Sequence, residues 1–230
     1  MKIVANEKQI KQKSLIGQIA SFASLAILGV GFYLSLTSRD PEMLGFMWAA
    51  LLLGFLLSQF GLYYGNRWSR RPDKALDQAL KGLDDRYAIY HYTSAATHVL
   101  VGPAGLWVLQ PYHQMGKIVY EKNRWKQKGG SFLQKYLRLF GQENIGRPDL
   151  EIESELDSMR KYLQKKMPDA ELPPVQAALV FMHEKAEIAA EEAPIPTLLA
   201  KDLKDYLRKT TKGKALTPEK AKLIQDVLGS

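Results

Sequence analysis

Apolar and polar residues are spread unevenly along this chain. Residues 15–36 and 43–64 contain no charged side chain, and each run is 22 residues long. A bilayer core takes roughly 20 residues of helix, and helices in water-soluble cores seldom run that far without a charge, so the pattern predicts two transmembrane helices. The first run is longer than the apolar part of a secretory leader, and a second run follows at once, which argues against cleavage. Only Thr37–Glu42 separates the runs, so the helices form a hairpin with both ends on one side. Gly17 with Ser21, Ala20 with Ser24 and Ala50 with Gly54 are small residues four apart, a spacing that lets two helices approach closely within lipid.

Past a basic linker at 65–71, the pattern becomes that of a mixed domain at 72–230. Leu76, Leu80 and Leu83 recur at helical spacing after Pro72, and Tyr87 to Thr93 alternates as a strand. His98 to Val101 and Leu106 to Leu109 are short apolar runs joined by Gly102-Pro103-Ala104-Gly105, a hairpin signal, and Lys117 to Tyr120 forms a further strand. A polar helix spans Pro148 to Met167, with proline at its start, acids in its first turns (Asp149, Glu151, Glu153, Glu155) and Lys165 and Lys166 near its end. Val175 to Met182 has the length of a buried strand, and 187–196 has the composition of a loop or edge hairpin. Thr197 and Thr217 are placed to cap two closing helices. The fold class is α/β (α+β): a helical hairpin, then a mixed sheet flanked by helices.

Charge adds orientation. Lys2, Lys8, Lys11 and Lys13 precede the first span, Arg67, Arg70 and Arg71 follow the second, and Arg39 alone lies between them. The excess of Lys and Arg on cytoplasmic flanks places both termini in the cytoplasm, with 1–14 as a basic cytoplasmic segment. Residues 65–230 hold 27 Lys and Arg against 21 Asp and Glu. Most of that surplus lies in 116–138, where Lys117, Lys122, Arg124, Lys126, Lys128, Lys135 and Arg138 face one acid, Glu121, with Trp125, Phe132 and Tyr136 interleaved. Such a stretch fits anionic lipid headgroups, or a nucleic-acid backbone with its bases stacked on the aromatics. With no cysteine there is no disulfide or thiolate metal site, and His91, His98, His113 and His183 show no metal-ligand spacing.

The candidate chemistry sits at the end of the second apolar strand, in Thr97, Gln110, Tyr112 and His113. Several motifs follow in order: Asp73 three residues before Leu76, His98-Val-Leu-Val-Gly-Pro103, Gly105-Leu-Trp-Val-Leu109, Gly116-Lys-Ile118, Trp125, Arg147-Pro148, Ala178-Leu-Val-Phe181 and Leu203. From residue 72 onward this order resembles the nuclease-related domain (NERD) family, a branch of the PD-(D/E)xK nucleases, and the resemblance implies a restriction-endonuclease-like core. In that family a strand Asp and Glu hold magnesium, and a Lys two residues beyond the Glu positions the attacking water. A hard dication wants anionic oxygens, and the water it polarises needs a cationic neighbour on the same strand face. Here those positions carry Thr97, Gln110 and Tyr112. Asp73 is the acid left nearby, and Lys117 and Glu121 are the substitutes the next strand offers. The expectation is a catalytically degenerate domain that serves as a binding or scaffolding module at the membrane, with no cofactor. The alternative is a divergent magnesium- or manganese-dependent nuclease using Asp73, Gln110 and Lys117.

Overall fold

The computed structural model describes residues 1–38, 40–129, 145–211 and 216–229, with the side chain of Asn66 left aside. Arg39, between the two spans, and Phe132, Lys135, Tyr136 and Arg138 of the basic stretch lie outside the described residues. The chain divides into two compact units, one of Glu7–Pro72 and one of Met1–Asn6 with Asp73–Ser230.

In the helical unit, α1 runs from Glu7 to Thr37 and α2 from Met43 to Tyr64. Both are long and apolar enough to cross a membrane. Neither has a polar side: Phe22 is 73% exposed, Phe46 71% and Trp48 71%, and the residues they bury are mostly small. Gly17, Ala20, Ser24 and Gly31 are covered on α1, and Gly54 and Gly61 on α2. A side chain on Gly61 would meet the Ser21 Oγ at 2.5 Å, and one on Gly54 would meet the Leu28 Cγ at 2.7 Å. Small residues therefore set the helix separation, as the spacing predicts, with Gly31 and Gly61 extending the seam. The basic linker is not irregular: Gly65–Ser69 winds on as a π-helical turn. Arg71 then closes the base of the hairpin on Glu7 at 2.9 Å.

The globular unit contains the expected mixed sheet, with two additions. Its strands are β1 (Lys2–Ala5), β2 (Ala88–His91), β3 (His98–Gly102), β4 (Gly105–Tyr112), β7 (Val175–Phe181) and β9 (Thr197–Leu199), in the spatial order β1-β2-β3-β4-β7-β9. The pairs β2–β3 and β3–β4 are antiparallel, while β1–β2, β4–β7 and β7–β9 are parallel. A smaller sheet holds β6 (Arg124–Lys128), β5 (Gly116–Glu121) and β8 (Ala186–Ala189), in that order. The N-terminal segment is thus an edge strand and not a free basic tail, since Lys2 N–H donates to Tyr87 O and Asn6 N–H to His91 O. Residue 197 opens β9 and caps nothing; its helix, α5, begins at Ala200 and ends at Thr211. Thr217 does cap α6 (Pro218–Leu228), accepting from Lys220 N–H at 3.4 Å.

Period-two alternation divides the core between the two faces of the large sheet. Leu106, Val108 and Tyr112 of β4 join Ile152, Met159 and Leu163 of α4 (Pro148–Lys166) and Ile224 of α6. Trp107 and Leu109 join Leu76 and Leu80, which lie in and just beyond α3 (Pro72–Ala79), and Leu203 and Leu207 of α5. The β3–β4 reversal needs its glycines: Gly105 has φ +112°, and a Cβ at Gly102 would lie 2.3 Å from the Tyr87 ring. Tyr87 is buried, so the ring has no room to withdraw. Gly102→Ala should therefore cost about 1–3 kcal/mol by overpacking, read as a lower denaturant midpoint at unchanged slope. In the helical unit, Gly61→Leu should separate α1 from α2, read as loss of disulfide cross-linking between cysteines placed at Gly31 and Ala50, where a Cβ on Gly31 would lie 3.4 Å from that of Ala50.

Candidate functional site

The carboxyl end of β4 presents Gln110 and Tyr112 on the same sheet face as Leu106 and Val108, and Thr97, just before β3, falls on that face by alternation with Val99. The three positions converge on two acids of α4, one helical turn apart. Thr97 donates its Oγ1–H to Glu155 Oε1 and its backbone N–H to Glu155 Oε2, the latter at 3.1 Å. The Tyr112 hydroxyl donates to Glu151 Oε2 at 2.9 Å, and the Gln110 amide reaches the same oxygen at 3.5 Å. Gln110 Oε1 is buried and meets no donor. The Tyr112 ring stacks on Phe181, with centroids 5.3 Å apart.

Each reactive position thus carries a hydrogen-bond donor aimed at a helix carboxylate. Both oxygens of Glu155 are engaged by Thr97, and one oxygen of Glu151 by Tyr112. Glu151 and Glu155 are the functional residues that sequence reasoning missed. Their signal was the four-residue spacing that puts them on one helix face, and it was read only as compensation of the helix dipole. Asp73 is buried, 1% exposed, in the first turn of α3, the helix whose leucines pack on the opposite face of the sheet. Lys117 is exposed on β5 of the small sheet, in register with Lys128 and Glu187. Among the described residues no group of three or more His, Asp or Glu is arranged to hold a metal ion.

A second buried polar group lies on the opposite face. His91 and His98 are cross-strand partners on β2 and β3, 0% and 1% exposed, with their Nδ1 atoms 2.8 Å apart. His91 Nε2 lies 3.0 Å from Asp77 Oδ1. With both rings uncharged one proton order satisfies the chain: Asp77 accepts from His91 Nε2–H, and His91 Nδ1 accepts from His98 Nδ1–H. The group ties α3 to the β2–β3 hairpin. It was hidden in the sequence because strand register, and not local spacing, brings the two rings together.

Within the described residues the basic stretch forms the β5–β6 hairpin. The stretch's aromatic Trp125 points inward: it is 4% exposed, donates Nε1–H to Thr197 Oγ1 at 3.0 Å and packs edge-on against Tyr120. This corrects its assignment to an exposed binding surface, because a buried indole cannot stack on a base. Lys122, Arg124, Lys126 and Lys128 remain on the hairpin surface, with Lys128 paired to Glu121.

Burial, reinforced by the Glu151 carboxylate, pushes the Tyr112 phenol far above the ordinary tyrosine range. Burial also pushes Tyr90, whose hydroxyl donates to Gln225 O, up to about 12. Both shifts favour the protonated form in the folded state. Their stabilisation is therefore complete below the unfolded tyrosine value of about 10 and is lost as pH rises from there. Melting temperature should fall steeply from about pH 10 to 12, and Tyr90→Phe should flatten that fall. At neutral pH Tyr112→Phe should cost about 1 kcal/mol, read by denaturant titration. Comparison with protein-family models, with curated proteins and with solved structures finds no significant match to this chain.

Proposed function

We propose that this protein is a membrane-anchored, catalytically inactive nuclease-like domain that acts as a binding or scaffolding module on the cytoplasmic face of the membrane. The observation that carries the reading is the engagement of Thr97 with Glu155 and of Tyr112 and Gln110 with Glu151. The NERD resemblance assigns those strand positions to magnesium ligation and water activation. Here a hydroxyl, a phenol and an amide occupy them, and their hydrogen bonds brace the strands against α4. Magnesium gives up its hydration reluctantly and wants anionic oxygens in near-octahedral array. To bind here it would have to displace hydrogen bonds from Glu155 and Glu151 and dispense with a neighbouring lysine. The mixed sheet with helices on both faces is in keeping with the fold the resemblance implies.

Three features support the anchor. Residues 15–36 of α1 and the whole of α2 are apolar on all sides, which in water would expose large side chains such as Phe22, Phe46 and Trp48. The chain leaves the globular unit after β1 and re-enters it at Asp73, so both ends of the hairpin lead into the same folded body. The basic residues Lys8, Lys11, Lys13, Arg67, Arg70 and Arg71 flank those ends, which favours a cytoplasmic location.

One observation favours the alternative of a divergent nuclease: two α4 carboxylates and the unpartnered Gln110 Oε1 stand at the expected site. The same assay decides between the readings. Full-length protein in lipid nanodiscs should leave single- and double-stranded DNA and RNA intact in magnesium or manganese. Cleavage that disappears in Gln110→Ala or Asp73→Asn would establish the enzyme instead.

A further inference from the structure

The small sheet has one face turned into the core and one turned outward. Ile118 and Trp125 are buried in the core cluster, with Tyr120 and Ile188 packed against it. Residues paired across neighbouring strands share a face. The register therefore puts Lys117, Glu121, Arg124, Lys126 and Lys128 together on the other side, around Val119, which is buried beneath them at 6% exposure, with Glu187 of β8 beside Lys117. Lys128 is neutralised by Glu121, whereas Arg124 and Lys126 form no ion pair among the described residues. Lys122 stands at the hairpin tip. It and Asn123 both adopt left-handed backbone conformations, φ 52° and 57°, which makes a tight two-residue reversal and fixes the tip relative to the strands.

We propose that this outward face of the small sheet docks on the anionic lipid headgroups of the bilayer in which the hairpin is anchored. The proposal rests on the membrane reading above. Two structural points favour lipid over nucleic acid. A sheet face with its charges on long, flexible stems suits a flat, diffuse negative surface, and of the aromatics offered for base stacking the one among the described residues, Trp125, is turned into the core. Chain connectivity supplies a third: the globular unit is joined to the hairpin at both Asn6 and Asp73, so anionic headgroups are at high local concentration around it. Docking would hold the domain against the membrane and leave its other faces free for a protein partner.

Lysine footprinting with a water-soluble acylating reagent tests this on the unmodified full-length protein. It is run in nanodiscs of neutral phosphatidylcholine and in nanodiscs containing phosphatidylserine, with flotation of the same samples. Reactivity of Lys122 and Lys126 should drop roughly fivefold or more in the anionic discs, the factor expected for one basic residue held near an anionic leaflet. It should recover at high salt, while Lys161 on α4 and Lys222 on α6 keep their reactivity. Arg124→Glu should abolish the protection without changing the melting temperature, since Arg124 is exposed. Equal reactivity of Lys122 and Lys126 in both kinds of disc would overturn the proposal, as would stronger protection by a single-stranded oligonucleotide in neutral discs. A chain that fails to float refutes the anchor itself, whereas a floating chain with unprotected lysines refutes only the docking.

Discussion

The globular unit depends on one strand being buried on both faces. β4 lies between β3 and β7, presents Leu106, Val108 and Tyr112 to α4 and Trp107 and Leu109 to α3 and α5, and so packs helices on both sides. Two-sided burial leaves the strand no register freedom, because a slip of one residue would exchange the two faces. The residues at its carboxyl end inherit that rigidity. Gln110 and Tyr112 are held in place there, and both reach Glu151.

A sheet whose strands end in polar side chains beside a packed helix has to satisfy their donors and acceptors. Buried acceptors and donors without partners cost about 1–3 kcal/mol each. Thr97 and Tyr112 meet this demand with α4 carboxylates, and Asp77, His91 and His98 meet a similar demand on the opposite face. Gln110 Oε1 is the exception among these side chains. These hydrogen bonds brace the sheet against the helix.

The parts legible in the sequence were those with a long or repeated signal. Two uncharged runs of 22 residues announced the hairpin, and the glycines of Gly102-Pro103-Ala104-Gly105 announced the β3–β4 reversal. β1 was hidden because four residues, Lys2 to Ala5, are too few to show a period and the strand's only partner is far away at β2. β6 was read as a basic stretch because Arg124-Trp-Lys-Gln-Lys128 has a single apolar residue in alternation. At the site, Thr97, Gln110 and Tyr112 were visible as polar strand-end residues, but the acids they meet were not. Glu155 lies 58 residues from Thr97 and Glu151 39 from Tyr112, and no local pattern spans such distances.

With the strand-end positions committed to hydrogen bonds with α4, a metal ion is expected to find no site there. Calorimetric titration of the full-length protein in nanodiscs with manganese tests this most directly. No saturable site is expected, in the parent protein and in Glu151→Gln and Glu155→Gln alike. A one-to-one site that is lost in either variant would contradict it.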